Sequence, residues 1–307
     1  MNKKMFLSGL SIMTAVALIG GATFAFFNDT ETSTGNTLAA GAIDLQIDNT
    51  SYVTDSTGAL VASEDTSWDL RDLTVEKFFD FTDIKPGDIG EDTISIHVGS
   101  NDAWLCAAAQ VTDNSDQSCT EPELADDLTC TDPGLGDGDL ADEVNFAFWE
   151  DDGDNVFESD ESTFLAGPIS GLGESGQIAL ADSSGTGPFG STPLPGGDTS
   201  FIGKAWCFGT LTPDPVAQGL DTSPLVRGTG FECDGSAVNN ASQTDQVVAD
   251  LQFYAVQSRN NAEFTCDEDF TPVWPSGSAA PSASPSASPV VSPSPSVSPS
   301  PIPSPSA

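Results

Sequence analysis

Short runs of alternating apolar and polar residues recur along this chain, and no stretch sustains a helical period. Ile43, Leu45 and Ile47 alternate with Asp44, Gln46 and Asp48, and Ile94, Ile96 and Val98 share one face of residues 93–98. A two-residue period is the mark of a half-buried strand. Further strands are expected at 103–112, 144–149, 177–180, 201–208 and 247–257. Clusters of turn-forming residues at 49–70, 113–143 and 165–200 read as loops, excursions or insertions. Many short strands separated by turn clusters predict an all-β fold, an antiparallel β-sandwich. Pro86-Gly87 suits the centre of a type II turn, with Gly87 taking the positive φ. His97 falls on the outward side of its strand and reads as a solvated or edge histidine.

The two ends are set apart by composition. Lys3 and Lys4 precede an apolar run from Met5 to about Ala22, and Thr23-Phe24-Ala25 offers small residues for cleavage. That order predicts a signal peptide over 1–25, cut between Ala25 and Phe26, rather than a retained membrane anchor. Residues 276–307 consist almost wholly of Pro, Ser and Ala with repeated Ser-Pro, a composition that cannot form a core. A disordered, polyproline-like tail is expected there, with a reach on the order of 100 Å when extended.

Ala25-Phe26-Phe27-Asn28-Asp29, then Ala40-Ala42 around Gly41 leading into Ile43-Asp44-Leu45, and later Ile84-Lys85-Pro86-Gly87-Asp88, occur in that order behind the leader. Over roughly residues 1–100 the chain thereby resembles the TasA/camelysin family. The resemblance implies cleavage by a dedicated signal peptidase and a jelly-roll-like sandwich with loop insertions over 38–275. It also implies a donor-strand segment over 26–37, in which Phe26, Phe27, Asn28 and Asp29 enter the jelly roll of the next subunit. Burial of each phenylalanine would contribute roughly 1.5–3 kcal/mol. Self is then the expected partner, in a head-to-tail homopolymer forming extracellular or biofilm-matrix fibres.

Charge narrows the other partners. The chain carries 8 Lys plus Arg against 47 Asp plus Glu, a net charge of −39. Loss of Lys3 and Lys4 with the leader leaves six basic residues against the same 47 acids, or −41. Such a surface repels nucleic acid and anionic lipid and favours divalent cations. No stable membrane span is expected after cleavage, and the mature protein should be secreted or held at the cell surface. Cys106, Cys119, Cys130, Cys207, Cys233 and Cys266 form an even set behind a secretory leader, which predicts disulfides. Among 15 possible pairings, Cys119–Cys130 and Cys207–Cys233 read as local clasps, leaving Cys106–Cys266.

One segment carries the pattern of a metal site. Residues 150–161 can be laid on a twelve-residue EF-hand loop. Glu150, Asp152, Asp154, the Val156 carbonyl, Glu158 and Glu161 then fall at the ligand positions for Ca2+. Asn155 stands where a left-handed residue is needed, and Asn tolerates that conformation. Position 1 is Glu rather than Asp, no helix flanks the loop, and a solvated acidic turn is the plain alternative. Zinc hydrolysis is not expected: there is one histidine, no H-E-x-x-H and no C-x-x-C. No catalytic residue is assigned, so the chain reads as non-enzymatic. The expected function is a fibre subunit assembled by donor-strand exchange. The alternative is a monomeric, calcium-stabilised adhesion or binding domain on a Pro/Ser stalk, and a camelysin-like metalloprotease comes third.

Overall fold

A computed structural model describes residues 28–32, 43–131, 137–219 and 223–274. The leader, the cleavage point at Ala25 and Phe26, Phe27, Ala40 to Ala42 and the 276–307 tail lie outside the described residues. Two antiparallel sheets pack face to face. The larger joins β2 (Leu45–Thr54), β3 (Leu60–Ala62), β4 (Trp68–Arg71), β5 (Ile89–Val98), β7 (Val144–Asp151), β8 (Thr163–Pro168) and β10 (Thr199–Phe208). Their order is β3-β2-β5-β10-β7-β8, with β4 also paired to β2. The smaller sheet runs β1-β13-β6-β9, from β1 (Asn28–Thr32), β6 (Ala103–Asp116), β9 (Gln177–Ala181) and β13 (Asp245–Gln257). A separate ribbon pairs β11 (Thr210–Pro213) with β12 (Phe231–Asp234).

Alternation explains the layers. Leu45 and Ile47 of β2, Ile94 and Ile96 of β5 and Ile202 of β10 point inward and meet Leu105, Leu180, Leu251 and Phe253 from the smaller sheet. These side chains are nearly or wholly excluded from water, and each contributes roughly 1.5–3 kcal/mol of burial. The turn at Lys85-Pro86-Gly87-Asp88 closes by a bond from Asp88 N–H to the Lys85 carbonyl (2.8 Å), and Gly87 has φ +94°. Those are the features of a type II turn.

Residues 49–70 are more regular than their polar composition suggests. β2 runs on to Thr54, and β3 and β4 both pair with it. Its inward polar residues find partners: Asn49 donates to the Thr66 carbonyl (2.6 Å) and Thr66 Oγ1 donates to Ser51 Oγ (2.8 Å). Likewise β6 continues to Asp116, paired throughout with β13, before the short helices α1 (Glu121–Asp126) and α2 (Leu140–Glu143). Two other single-turn helices, α3 (Pro224–Arg227) and α4 (Cys266–Asp269), complete the α-helical content among the described residues. Disulfides join Cys106 to Cys266, Cys119 to Cys130 and Cys207 to Cys233, with Cα separations of 5.7, 5.2 and 5.5 Å.

The strand β5 breaks alternation, since both of its faces are largely buried. A second apolar cluster of Ala147, Trp149, Phe157, Ala205 and Phe231 covers the outer side of the larger sheet. Gly203 makes this possible. A β-carbon there would lie 1.9 Å from the Trp149 indole, so only glycine lets the ring lie flat on β10. Gly203→Ala should therefore lower unfolding stability by about 1–3 kcal/mol or more, read from the midpoint of a urea transition.

Candidate metal centre

The strand β7 ends in this outer cluster. Residues 147, 149 and 151 share one face, so the fully buried Trp149 is followed two positions later by the buried Asp151. Glu150 lies on the opposite face and is exposed. The chain then doubles back over the sheet. Gly153 (φ +100°) and Asn155 (φ +66°) adopt left-handed backbone, and Asn155 donates its side-chain amide to the Thr50 carbonyl (2.9 Å). Phe157 re-enters the aromatic cluster, stacked on Phe231 with ring centroids 4.7 Å apart. Glu161 closes the loop, accepting from Asp152 N–H (3.2 Å) and Glu158 N–H (2.8 Å).

The carboxylates fall into two overlapping triads. Oxygens of Asp151, Asp152 and Glu161 lie within 4.8 Å of one another, and so do those of Asp152, Asp154 and Glu158. Two oxygens on opposite sides of a calcium ion stand roughly 4.6–5.2 Å apart, so either triad could share one ion. The second triad already has a cation. The Arg227 guanidinium, carried by α3, pairs with both Asp154 and Glu158 and donates to the Ala217 carbonyl (2.7 Å). The first triad takes part in none of the ion pairs among the described residues. Thr93 Oγ1 donates to one Asp151 oxygen (2.7 Å), while the other has no partner.

Glu91 of β5 adds to the same field. Its carboxyl is wholly buried, and neither oxygen has a hydrogen-bond partner. Burial first, then the charges of Asp151, Asp92, Asp154 and Glu161, lift its pKa well above the usual range. Burial is also the main cause at Asp151 and Asp154, each pushed up to about 6, and at Glu161, pushed up to about 8. Neighbouring Asp92 differs: Lys204 is buried beside it, pairs with it and donates to the Phe78 carbonyl (2.7 Å).

The carboxylates of the twelve-residue reading do not stand as one set: they divide between the two triads, and Arg227 pairs with Asp154 and Glu158. Glu150 does not join the cluster, because β7 stays extended through Asp151 and its two-residue period turns Glu150 outward. Asp152 belongs to both triads, Glu161 to the first and Asp154 and Glu158 to the second, and Val156 is buried. Asp151 was legible from the strand period. Glu91 and Arg227 were not, since they arrive from distant elements.

A zinc centre does not fit. His97 bonds through Nε2 to Asp48 (2.8 Å) and through Nδ1 to Thr199 Oγ1 (3.0 Å), half-buried between strands. All six cysteines are in disulfides. The acidic cluster offers only oxygen donors, which suit hard cations rather than catalytic zinc.

Among the described residues no helix is long and apolar enough to cross a membrane. The family described as camelysin metallo-endopeptidase matches the chain over residues 1–57. No curated protein matches it.

Raised carboxyl pKa values have a defined sign. Between the unfolded values near 4 and the folded values of about 6 and about 8, the folded state holds more protons than the unfolded one. Metal-free protein should therefore lose stability as pH rises through that window, seen as a falling melting temperature from about pH 5 to about pH 8.5. Asp151→Asn together with Glu161→Gln should flatten that profile.

Proposed function

We propose that this chain, which belongs to the camelysin/TasA family by its N-terminal stretch, is a secreted structural subunit of extracellular fibres. Its cleaved N-terminus would assemble the fibre by donor-strand exchange. The observation that supports this is the position of β1. It is the edge strand of the smaller sheet, antiparallel to β13, with Asn28 opposite Val256 and Thr32 opposite Gln252. The chain between Thr32 and Leu45 could span at most roughly 40 Å before entering the other sheet. A strand held at an edge by main-chain bonds and tethered at one end can be replaced by the same strand from another copy, with the register kept.

The tether sets the competition. An attached strand sees its own groove at an effective concentration of order mM, so a neighbour's strand wins only where it makes additional contacts. Phe26 and Phe27, directly before β1 in sequence, would make them. A contact of this kind is head-to-tail and does not close on itself, so it propagates as a filament. Calcium held by Asp151, Asp152 and Glu161 would serve as a staple of the fold, and no catalytic role is assigned to the chain.

A second reading is favoured by the same pairing, because β1 lies on its own domain. If it stays there, the protein is a monomeric, calcium-stabilised surface domain on a Pro/Ser stalk. Negative-stain microscopy of mature protein beginning at Phe26 separates the two. Filaments are expected, and deletion of residues 26–37 should abolish them. Asn28→Cys combined with Val256→Cys refines the test. Oxidation before assembly should trap monomers, whereas oxidation afterwards should give a covalent ladder on a non-reducing gel; trapped monomers in both cases would favour the stalked domain.

The staple has its own check. Calcium should raise the melting temperature of chelator-treated protein at about pH 7.5. Asp151→Asn should weaken binding at least tenfold, while Glu150→Gln leaves it unchanged.

A further inference from the structure

A different cluster lies at the far end of the smaller sheet. In the ladder between β6 and β13, Asp116 stands directly opposite Asp245. Like charges facing each other across a strand pair are unfavourable, and here both lie where the excursion 117–131 folds over the sheet. Glu123 of α1 completes the group. One oxygen from each of Asp116, Glu123 and Asp245 lies within 4.8 Å of the others.

The three acids are not equally provided for. Asp245 accepts from Asp139 N–H (2.6 Å) and Leu140 N–H (3.1 Å) through one oxygen, while its other oxygen has no partner. Glu123 is fully buried; it accepts from Thr120 N–H (2.9 Å) and from the Thr244 hydroxyl. Asp116 is 2% exposed, and neither of its oxygens meets a hydrogen-bond donor. None of the ion pairs among the described residues reaches this cluster. A buried carboxylate without donor or counter-ion is strongly disfavoured. In the acidic loop Arg227 pairs with Asp154 and Glu158; among the described residues no ion pair of that kind is made by Asp116, Glu123 or Asp245.

We infer that Asp116, Glu123 and Asp245 form a second cation site, taking a hard divalent ion of the calcium type. The donors are all oxygen, they are close enough together to share one ion, and no nitrogen or sulfur ligand is on offer, since Cys119 and Cys130 are bridged to each other. An ion at this point would relieve the facing aspartates. It would also pin α1, and with it the excursion clasped by Cys119–Cys130, to the ends of two central strands. The site shares no residue with the loop triad, so the two stand or fall separately.

Calorimetric titration of calcium chloride into chelator-treated mature protein, disulfides intact, tests it. The wild type should take up two equivalents, and Asp151→Asn should leave one. In that background Asp116→Asn or Glu123→Gln should remove the remaining equivalent or weaken it at least tenfold. Glu123→Gln keeps an acceptor for Thr120 and so carries the test if Asp116→Asn does not fold. Unchanged binding in both double variants would overturn the site. So would the absence of any binding in Asp151→Asn alone, with the facing acids then sharing a proton instead, and that result leaves the loop reading standing. A wild type that takes up one equivalent, keeps it in Asp151→Asn and loses it in Asp116→Asn would support this site and remove the loop.

Discussion

The pairing of β6 with β13 is the contact on which the rest of the molecule hangs. More than a hundred residues separate these strands in sequence, and they pair from Ala103 opposite Gln257 to Asp116 opposite Asp245. Each supports one edge of the smaller sheet, β9 on β6 and β1 on β13. Long-range pairing of this kind pays its loop-closure entropy before any contact rewards it. Cys106–Cys266, with a sequence separation of 160, ties β6 near its start to the segment after β13 and limits how far the ends can part.

The larger sheet answers a different constraint, the shortage of positive charge. With so few basic residues among so many acids, each buried cation is committed. Lys204 sits between Asp92 and the Phe78 carbonyl, and Arg227 bridges Asp154 and Glu158. What remains uncompensated is concentrated at Glu91 and Asp151 on one sheet and at Asp116 and Asp245 on the other. Two hard cations would restore balance at the points where side-chain cations are lacking, which links the composition of the chain to the chemistry of both clusters.

Much of the scaffold was legible in the sequence because alternation is local. Ile94, Ile96 and Val98 declare their face within six residues, and Pro86-Gly87 declares its turn within four. The polar stretch at 49–70 hid β3 and β4 because strands of three and four residues are too short to show a two-residue period. In the acidic loop spacing alone could not show which carboxylates face each other: the strand period of β7 turns Glu150 out and Asp151 in, and the loop divides the rest between two triads. Glu91 and Arg227 could not be found by spacing, since the sheet and α3 bring them from elsewhere. The Asp116–Glu123–Asp245 group was invisible for the same reason, as Asp245 reaches Asp116 only through register.

The fastening of the chain after β13 bears on mechanics. Gln252 holds Val273 at both its N–H and its carbonyl, and Cys266 is bonded to Cys106 near the start of β6. A pull on the chain beyond Trp274 first meets that two-point grip and then a covalent bond into the central strand. Tension from that side therefore reaches β6 through the disulfide, without having to run back along the chain through β13.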